Sequence, residues 1–149
     1  MKEETRKYSN IFWSFREYLR SNMPSIKRYY NPQSLPKPTS VDKWIIFQMG
    51  IHEPDLFSRV IPRIHCVSRK DADESELIEL VSDVIAIFDS PSTGRKYIPF
   101  YDKDSDTIIG DIWINSISVG PRMPYDTGII SKAIEIHSTV KTDRKMNYG

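Results

Sequence analysis

Three carboxylates at alternate positions, Asp102, Asp104 and Asp106, could present oxygen ligands to a hard cation such as calcium. In a calcium-binding loop a glycine then holds the turn, and a bidentate glutamate closes the coordination sphere. Here Thr107 occupies the glycine position and Trp113 occupies the glutamate position. The spacing therefore favours a polar turn between two strands over a dedicated metal site.

The segment 92–96, with the sequence STGRK, is similar to the end of a phosphate-binding loop, in which glycines let backbone N–H groups approach phosphate. Three positions depart from that pattern. Asp89 stands at the first glycine, Arg95 at the lysine, and Lys96 at the serine or threonine. We therefore expect no nucleotide site and no cofactor here.

Cys66 is the lone cysteine, and a thiolate beside an imidazole would be a nucleophile. Its candidate partners are His52, His65 and His137. His65 and Cys66 are adjacent on a predicted strand, so their side chains point to opposite faces. Cys66 shares its parity with Val60 and Ile64, which predicts a buried core thiol. The chain is therefore expected not to be an enzyme, with no catalytic residues.

The composition of the 149 residues is that of one soluble domain, with 39% hydrophobic and 28% charged residues. No apolar run approaches the roughly 18 residues of a membrane span, and residues 1–10 lead into no apolar signal segment. A single cysteine excludes an intrachain disulfide and a cysteine-rich zinc site. We expect one domain over residues 1–149, without a membrane partner and assembled in the cytoplasm.

A first helix is predicted over residues 4–21, where apolar side chains recur at helical spacing as far as Leu19. Pro24 opposes its continuation. Residues 29–40 contain three prolines, which predicts an extended connector or a hairpin arm on the surface.

A second, acidic helix is predicted from Asp73 to Phe88, because six apolar residues fall on one stripe. The stripe consists of Leu77, Leu80, Val81, Val84, Ile85 and Phe88. Asp73 and Glu76 have the spacing of a capping box at the helix start. The acidic row that points outward consists of Glu74, Glu79 and Asp83.

Alternating patterns predict the strands. They cover residues 41–51, 60–68, 97–101, 108–119 and 130–140. Pro62 predicts that the second is an edge strand or carries a bulge, and a change of parity predicts a bulge near Asn115 and Ser116. The sequence therefore predicts an α+β fold, with an antiparallel or mixed sheet and two helices packed on one face.

Charge is polarised along the chain although the net charge is only +1. Residues 1–30 carry seven basic and three acidic side chains, whereas residues 71–89 carry seven acidic and no basic ones. Complementary fields of this kind favour docking between copies of one chain. We predict that the acidic row meets the basic N-terminal region of a neighbouring copy, in which Arg16 and Arg20 are the candidate interface residues. The alternative is that both helix faces are merely solvated.

The order of these pieces resembles the tail terminator (tail completion) proteins of long-tailed bacteriophages, the family that includes the lambda tail terminator. The pieces are an N-terminal helix, a hydrophobic strand at 44–47 (WIIF), a hairpin ending at 62–68 (PRIHCVS), the helix with 76–81 (ELIELV), Tyr101-Asp102, and a final hairpin around 119–121 (VGP). The resemblance covers about two thirds of the chain, from Trp44 to Thr142.

This resemblance implies a homohexameric ring that caps the tail tube, stops its polymerisation and offers a docking surface to the neck. The expected partners are further copies of the chain, the tail tube protein and a neck or head–tail connector protein. Genomic DNA would pass through the lumen without specific binding, and the protein would reside in the virion.

Under this hypothesis the contacts with the tube or the neck are expected in two loops, Tyr101–Thr107 and Gly120–Gly128. The residues of interest are Tyr101 and Asp102 in the first loop, and Arg122, Met123 and Tyr125 in the second. Planar cations and large apolar groups are enriched at interface hot spots. The alternative is an ordinary hairpin whose prolines only fix the turn.

Three other functions stay open. A neck or head-completion protein would share the folding physics but have a different neighbour. A small nucleic-acid-binding module would use the basic first helix, although a sequence pI of about 7.8 lies below the value of about 9 expected of a dedicated binder. A small enzyme using Cys66 and a histidine is the least favoured.

Overall fold

Two helices and seven strands make up the described part of the computed structural model, which covers residues 2–53, 58–69, 73–89 and 96–142. The helices are α1 (Lys2–Asn22) and α2 (Ser75–Phe88), and the strands are β1 (Lys27–Tyr30), β2 (Lys43–Glu53), β3 (Ser58–Arg69), β4 (Lys96–Asp102), β5 (Thr107–Val119), β6 (Met123–Asp126) and β7 (Ile129–Thr142).

The strands form one mixed sheet in the order β1-β2-β3-β7-β5-β4, and β6 pairs with the start of β7. β1 and β2 are parallel, and all other neighbours are antiparallel. The predicted α+β class is therefore confirmed, and the parallel β1–β2 pair makes the sheet mixed.

Both helices cover the same face of the sheet, where one large core cluster contains buried residues from α1, α2 and five of the strands. Phe15 of α1 joins the layers, because its ring lies 5.6 Å from that of Phe47 in β2 and 6.3 Å from that of Phe88 in α2. The predicted stripe of α2 is confirmed. Leu77, Leu80, Val81, Val84 and Phe88 are buried, and Ile85 is half-buried.

A smaller apolar cluster lies on the opposite face, where Trp44, Ile46, Val67 and Ile129 are buried. The proline-rich connector crosses this face and is held there by three side chains. The Tyr125 hydroxyl donates to the Pro36 carbonyl, and Arg69 donates to the Pro38 carbonyl. An ion pair of 2.9 Å joins Lys37 to Asp126. The connector is therefore a strap over the second cluster.

The predicted connector over residues 29–40 is correct only in part. Lys27–Tyr30 form β1, which pairs in parallel with residues Trp44–Phe47. A parallel partner cannot be reached through a tight hairpin, so residues between β1 and β2 must cross back over the sheet. The predicted hairpin arm is therefore wrong.

Pro62 was predicted to mark an edge strand or a bulge, and the two alternatives have opposite outcomes. The prediction of an edge strand is wrong, because β3 lies between β2 and β7 in the sheet. The bulge is confirmed, because the β2–β3 register shifts between Gln48 and Ile51, opposite Ile61 to Arg63. Pro62 has no N–H to donate, so an interior strand tolerates it where the ladder is interrupted. The bulge predicted near Asn115 is also confirmed, by the β5–β7 register shift between Ile114 and Ser116.

The capping box predicted for α2 is wrong in detail. The N-cap residue is Glu74, in the left-handed region with φ 63°, and its side chain makes no capping hydrogen bond. Asp73 instead accepts from the backbone N–H of Ser75 at 3.1 Å and from its hydroxyl at 2.7 Å. The helix begins at Ser75, two residues later than predicted. Asp73 lies in the turn before the helix, where its carboxylate binds Ser75.

Candidate interface surfaces

Two acidic residues at the start of α2, Glu76 and the Glu74 of the acidic row, are paired within the chain. Glu76 forms an ion pair of 3.0 Å with Lys43, and Glu74 lies 3.5 Å from Arg122. Glu79 and Asp83 are exposed. The hydrogen bond to Glu76, with smaller contributions from the Glu79 and Asp83 charges, raises the pKa of Lys43. Glu79 and Asp83 are therefore the part of the row left for another molecule, among the residues that the structure describes.

The basic first helix keeps Arg16 and Arg20 on the surface, in different environments. Arg20 is paired with Glu17 one turn earlier at 2.7 Å, and this carboxylate raises the pKa of Arg20. The Arg16 guanidinium lies 5.6 Å from the Trp13 ring and 5.4 Å from the Tyr30 ring. A guanidinium held on aromatic faces keeps its charge and its outward donors. Arg16 is thus better placed than Arg20 to meet an external carboxylate.

The loop at Tyr101–Thr107 is a tight turn fastened to α1. The Tyr101 N–H donates to the buried Ser14 hydroxyl at 2.8 Å, and the Lys103 N–H donates to the buried Asn10 side chain at 2.9 Å. The Asp102 carboxylate accepts from within the turn, from the Asp104 N–H and the Ser105 hydroxyl. These hydrogen bonds to the Asp102 carboxylate stabilise the turn. No cluster of metal-ligating side chains occurs in the described part of the chain.

The second loop, Gly120–Gly128, contains β6 and is folded against the body of the domain. Tyr125 packs edge-on against Trp44 with 5.9 Å between ring centroids, and Arg122 faces Glu74. Met123 is 52% exposed and is the most accessible apolar group of this loop. Tyr125 therefore binds the strap through the Pro36 carbonyl, whereas Arg122 and Met123 are exposed at the surface.

The two candidate loops lie at opposite ends of β5, which links them. The strand has 13 residues and so spans about 40 Å. The loops cannot form one continuous site. The two loops can instead contact two different neighbouring molecules.

The sequence singled out two further segments. Residues 90–95, which include most of the phosphate-loop-like stretch, lie outside the described residues. Cys66 is confirmed as a core thiol, since it is fully buried on the helix-covered face. Its neighbour His65 points to the other face, where its Nε2 lies 2.9 Å from the Gln48 oxygen. Burial raises the pKa of the Cys66 thiol from 9.0 to about 12.

Cys66 should accordingly be inert in the native state. A pKa raised from 9.0 to about 12 lowers the thiolate fraction near pH 8 by roughly a thousandfold, and the thiolate is the reactive species. We expect labelling by a thiol-specific disulfide reagent to proceed only as the protein unfolds, and to become fast in 6 M guanidinium chloride. Rapid labelling of the folded protein would contradict the buried position.

Sequence reasoning missed one feature, the close approach of β2 to β3 at Gly50 and the cleft beside it. The signal was Gly50, since an isolated glycine inside a strand pattern indicates a bulge or a close backbone approach. Gly50 has φ +66°, and a Cβ built on it would lie 2.0 Å from the Ile61 carbonyl oxygen. The strand changes course at this residue and borders an open cleft.

No protein-family model and no curated protein matches this chain. A solved structure is similar to it with a TM-score of 0.63 and 9% sequence identity, over 91% of this chain and 96% of the other. At that identity the likeness concerns the fold alone. No described helix carries an apolar stretch long enough to cross a membrane.

Proposed function

We propose that this chain is a structural virion subunit of the tail terminator type, which closes into a ring, caps the tail tube and offers a docking surface to the neck. The proposal starts from the family resemblance in the order of its elements. An α+β domain with two separate surface loops supports it. A ring between a tube and a neck needs a contact on each side, and the loops lie at opposite ends of β5.

The observation that carries the proposal is the separation of two opposite charges on the helix layer. Glu79 and Asp83 are exposed on α2, and Arg16 is exposed on α1. A contact that joins two different surfaces of identical subunits is heterologous, and it closes into a ring when the rotation permits. Complementary charge sets the register of such a contact and excludes like-charged alternatives.

The oligomeric state tests the proposal directly. Native mass spectrometry and negative-stain electron microscopy of the purified protein should show a ring, with six subunits as the resemblance implies. A protein that stays monomeric at high concentration, also with tail-tube ends present, would contradict it. Localisation in tails assembled without heads separates the alternative, since a terminator is present there and a head-completion protein is absent.

Reversing the acidic row should weaken assembly without unfolding the subunit. We expect Glu79→Lys combined with Asp83→Lys to raise the dissociation constant of the ring at least about tenfold, because favourable contacts become repulsive. Sedimentation velocity over a dilution series measures the effect. Circular dichroism should be unchanged, since both side chains are exposed.

The matched control is Asp42→Lys combined with Asp111→Lys, which changes the net charge equally at two other exposed positions. It should leave the ring intact. Equal weakening by both double variants would mean that total charge, rather than the acidic row, governs association.

A further inference from the structure

Two arginines are anchored beside the same tyrosine, Tyr30 of β1. Arg28 donates from its Nε to the Tyr30 hydroxyl at 3.1 Å. Its Nη1 donates to the Met23 carbonyl at 2.6 Å and to the Ile26 carbonyl at 3.0 Å. Arg16 comes from α1, and its guanidinium carbon lies 5.4 Å from the centre of the Tyr30 ring. Arg16, Arg28 and Tyr30 together are called the arginine site.

Aromatic contacts fix the position of the Arg16 guanidinium. It lies 5.6 Å from the ring of Trp13, one turn earlier on α1, in addition to its contact with Tyr30. Trp13 and Tyr30 are half-buried, whereas Arg16 is exposed. A guanidinium held on aromatic rings presents its donors as a planar fork, and this fork matches the two oxygens of a carboxylate. The arginine site is therefore shaped for an anion with paired oxygens.

The positive charges of the arginine site are not balanced by a carboxylate. Within the described part of the chain, neither Arg16 nor Arg28 forms an ion pair. Glu17, the acidic residue next to Arg16 in the sequence, is paired with Arg20 at 2.7 Å. Two like charges held beside one tyrosine repel each other, and a bound anion would relieve this repulsion.

The acidic helix α2 has the complementary arrangement. Glu79 and Asp83 are exposed, and neither forms an ion pair with a described residue. They are four positions apart, so they share one face of α2, with Cβ atoms about 5–6 Å apart. Like charges at this spacing are unfavourable within a helix. Each surface therefore carries the charge that the other lacks.

We infer that the arginine site receives the carboxylates of Glu79 and Asp83 from a second copy of this chain. The inference rests on the proposed ring and deepens it, because it builds the receiving surface from α1 and β1 together. The two arginines each meet one carboxylate, and the aromatic residues Trp13 and Tyr30 are positioning residues. The contact joins different surfaces of identical chains, which is the type of contact that closes into a ring.

A nucleic acid is the less suitable anion for this surface. The sequence pI of about 7.8 lies below the value of about 9 expected of a dedicated nucleic-acid binder. In addition, α2 covers the same face of the sheet as α1, so the exposed Glu79 and Asp83 would repel a long polyanion along the helix layer. The carboxylates of the same chain are the anions that the charge distribution favours.

Removing one arginine at a time tests the site. We expect Arg16→Gln to raise the dissociation constant of the ring at least about tenfold in sedimentation velocity. Arg20→Gln is the matched control, because it removes the same charge one turn later from an arginine already paired with Glu17. It should change the dissociation constant less than about twofold. Equal weakening by the two variants would overturn the inference, since lost charge alone would explain it.

A conservative variant separates geometry from charge. Arg16→Lys keeps the positive charge and loses the planar fork, so we expect the dissociation constant to rise about fivefold. If Arg16→Lys assembles as tightly as the unchanged protein, the guanidinium geometry is irrelevant and the inference is wrong. The ring, and with it the proposed function, would stand in that case.

A double-mutant cycle tests the positioning role of Trp13. Trp13→Leu should raise the dissociation constant about fivefold in the unchanged protein but less than about twofold in the Arg16→Gln variant, because the guanidinium that it positions is then absent. A purely structural role for Trp13 would give the same factor in both backgrounds. That result would remove Trp13 from the site.

Carbodiimide coupling identifies the partner. In the Arg16→Lys protein, held well above its dissociation constant, the introduced amine should couple to Glu79 or Asp83. Mixing isotopically labelled and unlabelled protein before peptide mass spectrometry shows whether the link joins two copies. Lys43 and Glu76, 3.0 Å apart within one chain, provide the coupling control. If the control pair couples and position 16 joins neither Glu79 nor Asp83 of another copy, the assigned partner is wrong.

Two further outcomes separate the inference from the proposed function. If the unchanged protein binds a fluorescently labelled oligothymidine in an anisotropy titration and Arg16→Gln abolishes this binding, the site belongs to a nucleic acid and the inference is overturned. A ring that persists undiminished in Arg16→Gln overturns the inference alone. A protein that does not self-associate at any concentration overturns the proposed function together with it.

Discussion

Gly50→Ala should destabilise the domain by about 3–4 kcal/mol, a large loss for one methyl group. Two costs add. The left-handed backbone at φ +66° costs an L-residue about 1–2 kcal/mol. The new Cβ would also lie 2.0 Å from the Ile61 carbonyl oxygen and 3.4 Å from the Cα of Pro62. Since the proline ring stiffens the backbone behind this carbonyl, the strand cannot yield cheaply. Urea denaturation followed by circular dichroism measures the change.

Gly128→Ala is the matched control, because it shares the backbone conformation and lacks the clash. Gly128 has φ +73°, and a Cβ there would meet nothing within 4 Å. Only the conformational cost of about 1–2 kcal/mol remains. The difference between the two variants isolates the close approach at the bulge. Equal losses would show that the β2–β3 bulge relaxes freely and that Gly50 is present only for its φ.

Phe15→Ala should cost about 3–5 kcal/mol, the range for removing a buried phenylalanine side chain. Phe15 is fully buried, and its ring contacts Phe47 in β2 and Phe88 in α2. The cavity would open between α1, α2 and the sheet, so both helices lose their common contact. The free energy of unfolding from guanidinium chloride titration is the appropriate measurement, with the midpoint and the slope fitted separately.

Phe12→Ala provides the comparison, since it removes an identical side chain three residues away on the same helix. Phe12 is only half-buried and contacts Tyr30 and Phe47 at ring-centroid distances of 6.2 and 6.0 Å. Its loss should be smaller, because less apolar surface leaves water when this ring packs. A larger loss for Phe12→Ala would mean that the contacts of α1 with β1 and β2, rather than the contact of Phe15 with α2, hold the layers together.

Local patterns predicted the elements well where a single face is buried. The α2 stripe depends only on spacing within the helix, so Leu77 and Phe88 could be placed in the core from their positions alone. The bulge near Asn115 was predictable for the same reason, since alternation breaks there. Pro62 showed the limit. A missing N–H indicates an interrupted ladder, yet only the strand order tells whether the interruption lies at an edge or inside the sheet.

The sequence predicted the charge and residue types of the candidate surfaces. It could not predict which of these residues form ion pairs within the chain. The net charges of residues 1–30 and 71–89 are visible in the sequence, whereas the Lys43–Glu76 and Arg122–Glu74 pairs join positions far apart in the chain. These pairs depend on the folded packing of distant elements. Because Glu74 faces Arg122 and is half-buried, the exposed part of the acidic row is Glu79 and Asp83.

The sequence by itself determined the α+β class, the two helices and the polarised charge, because periodicity and composition are properties of neighbouring residues. The tertiary structure decided the rest. It placed β1 parallel to β2, ended that pairing at Phe47 and joined α1 to β4 through the Ser14–Tyr101 hydrogen bond. These features depend on which strands become neighbours, and that choice reflects the burial of the whole core rather than any local pattern.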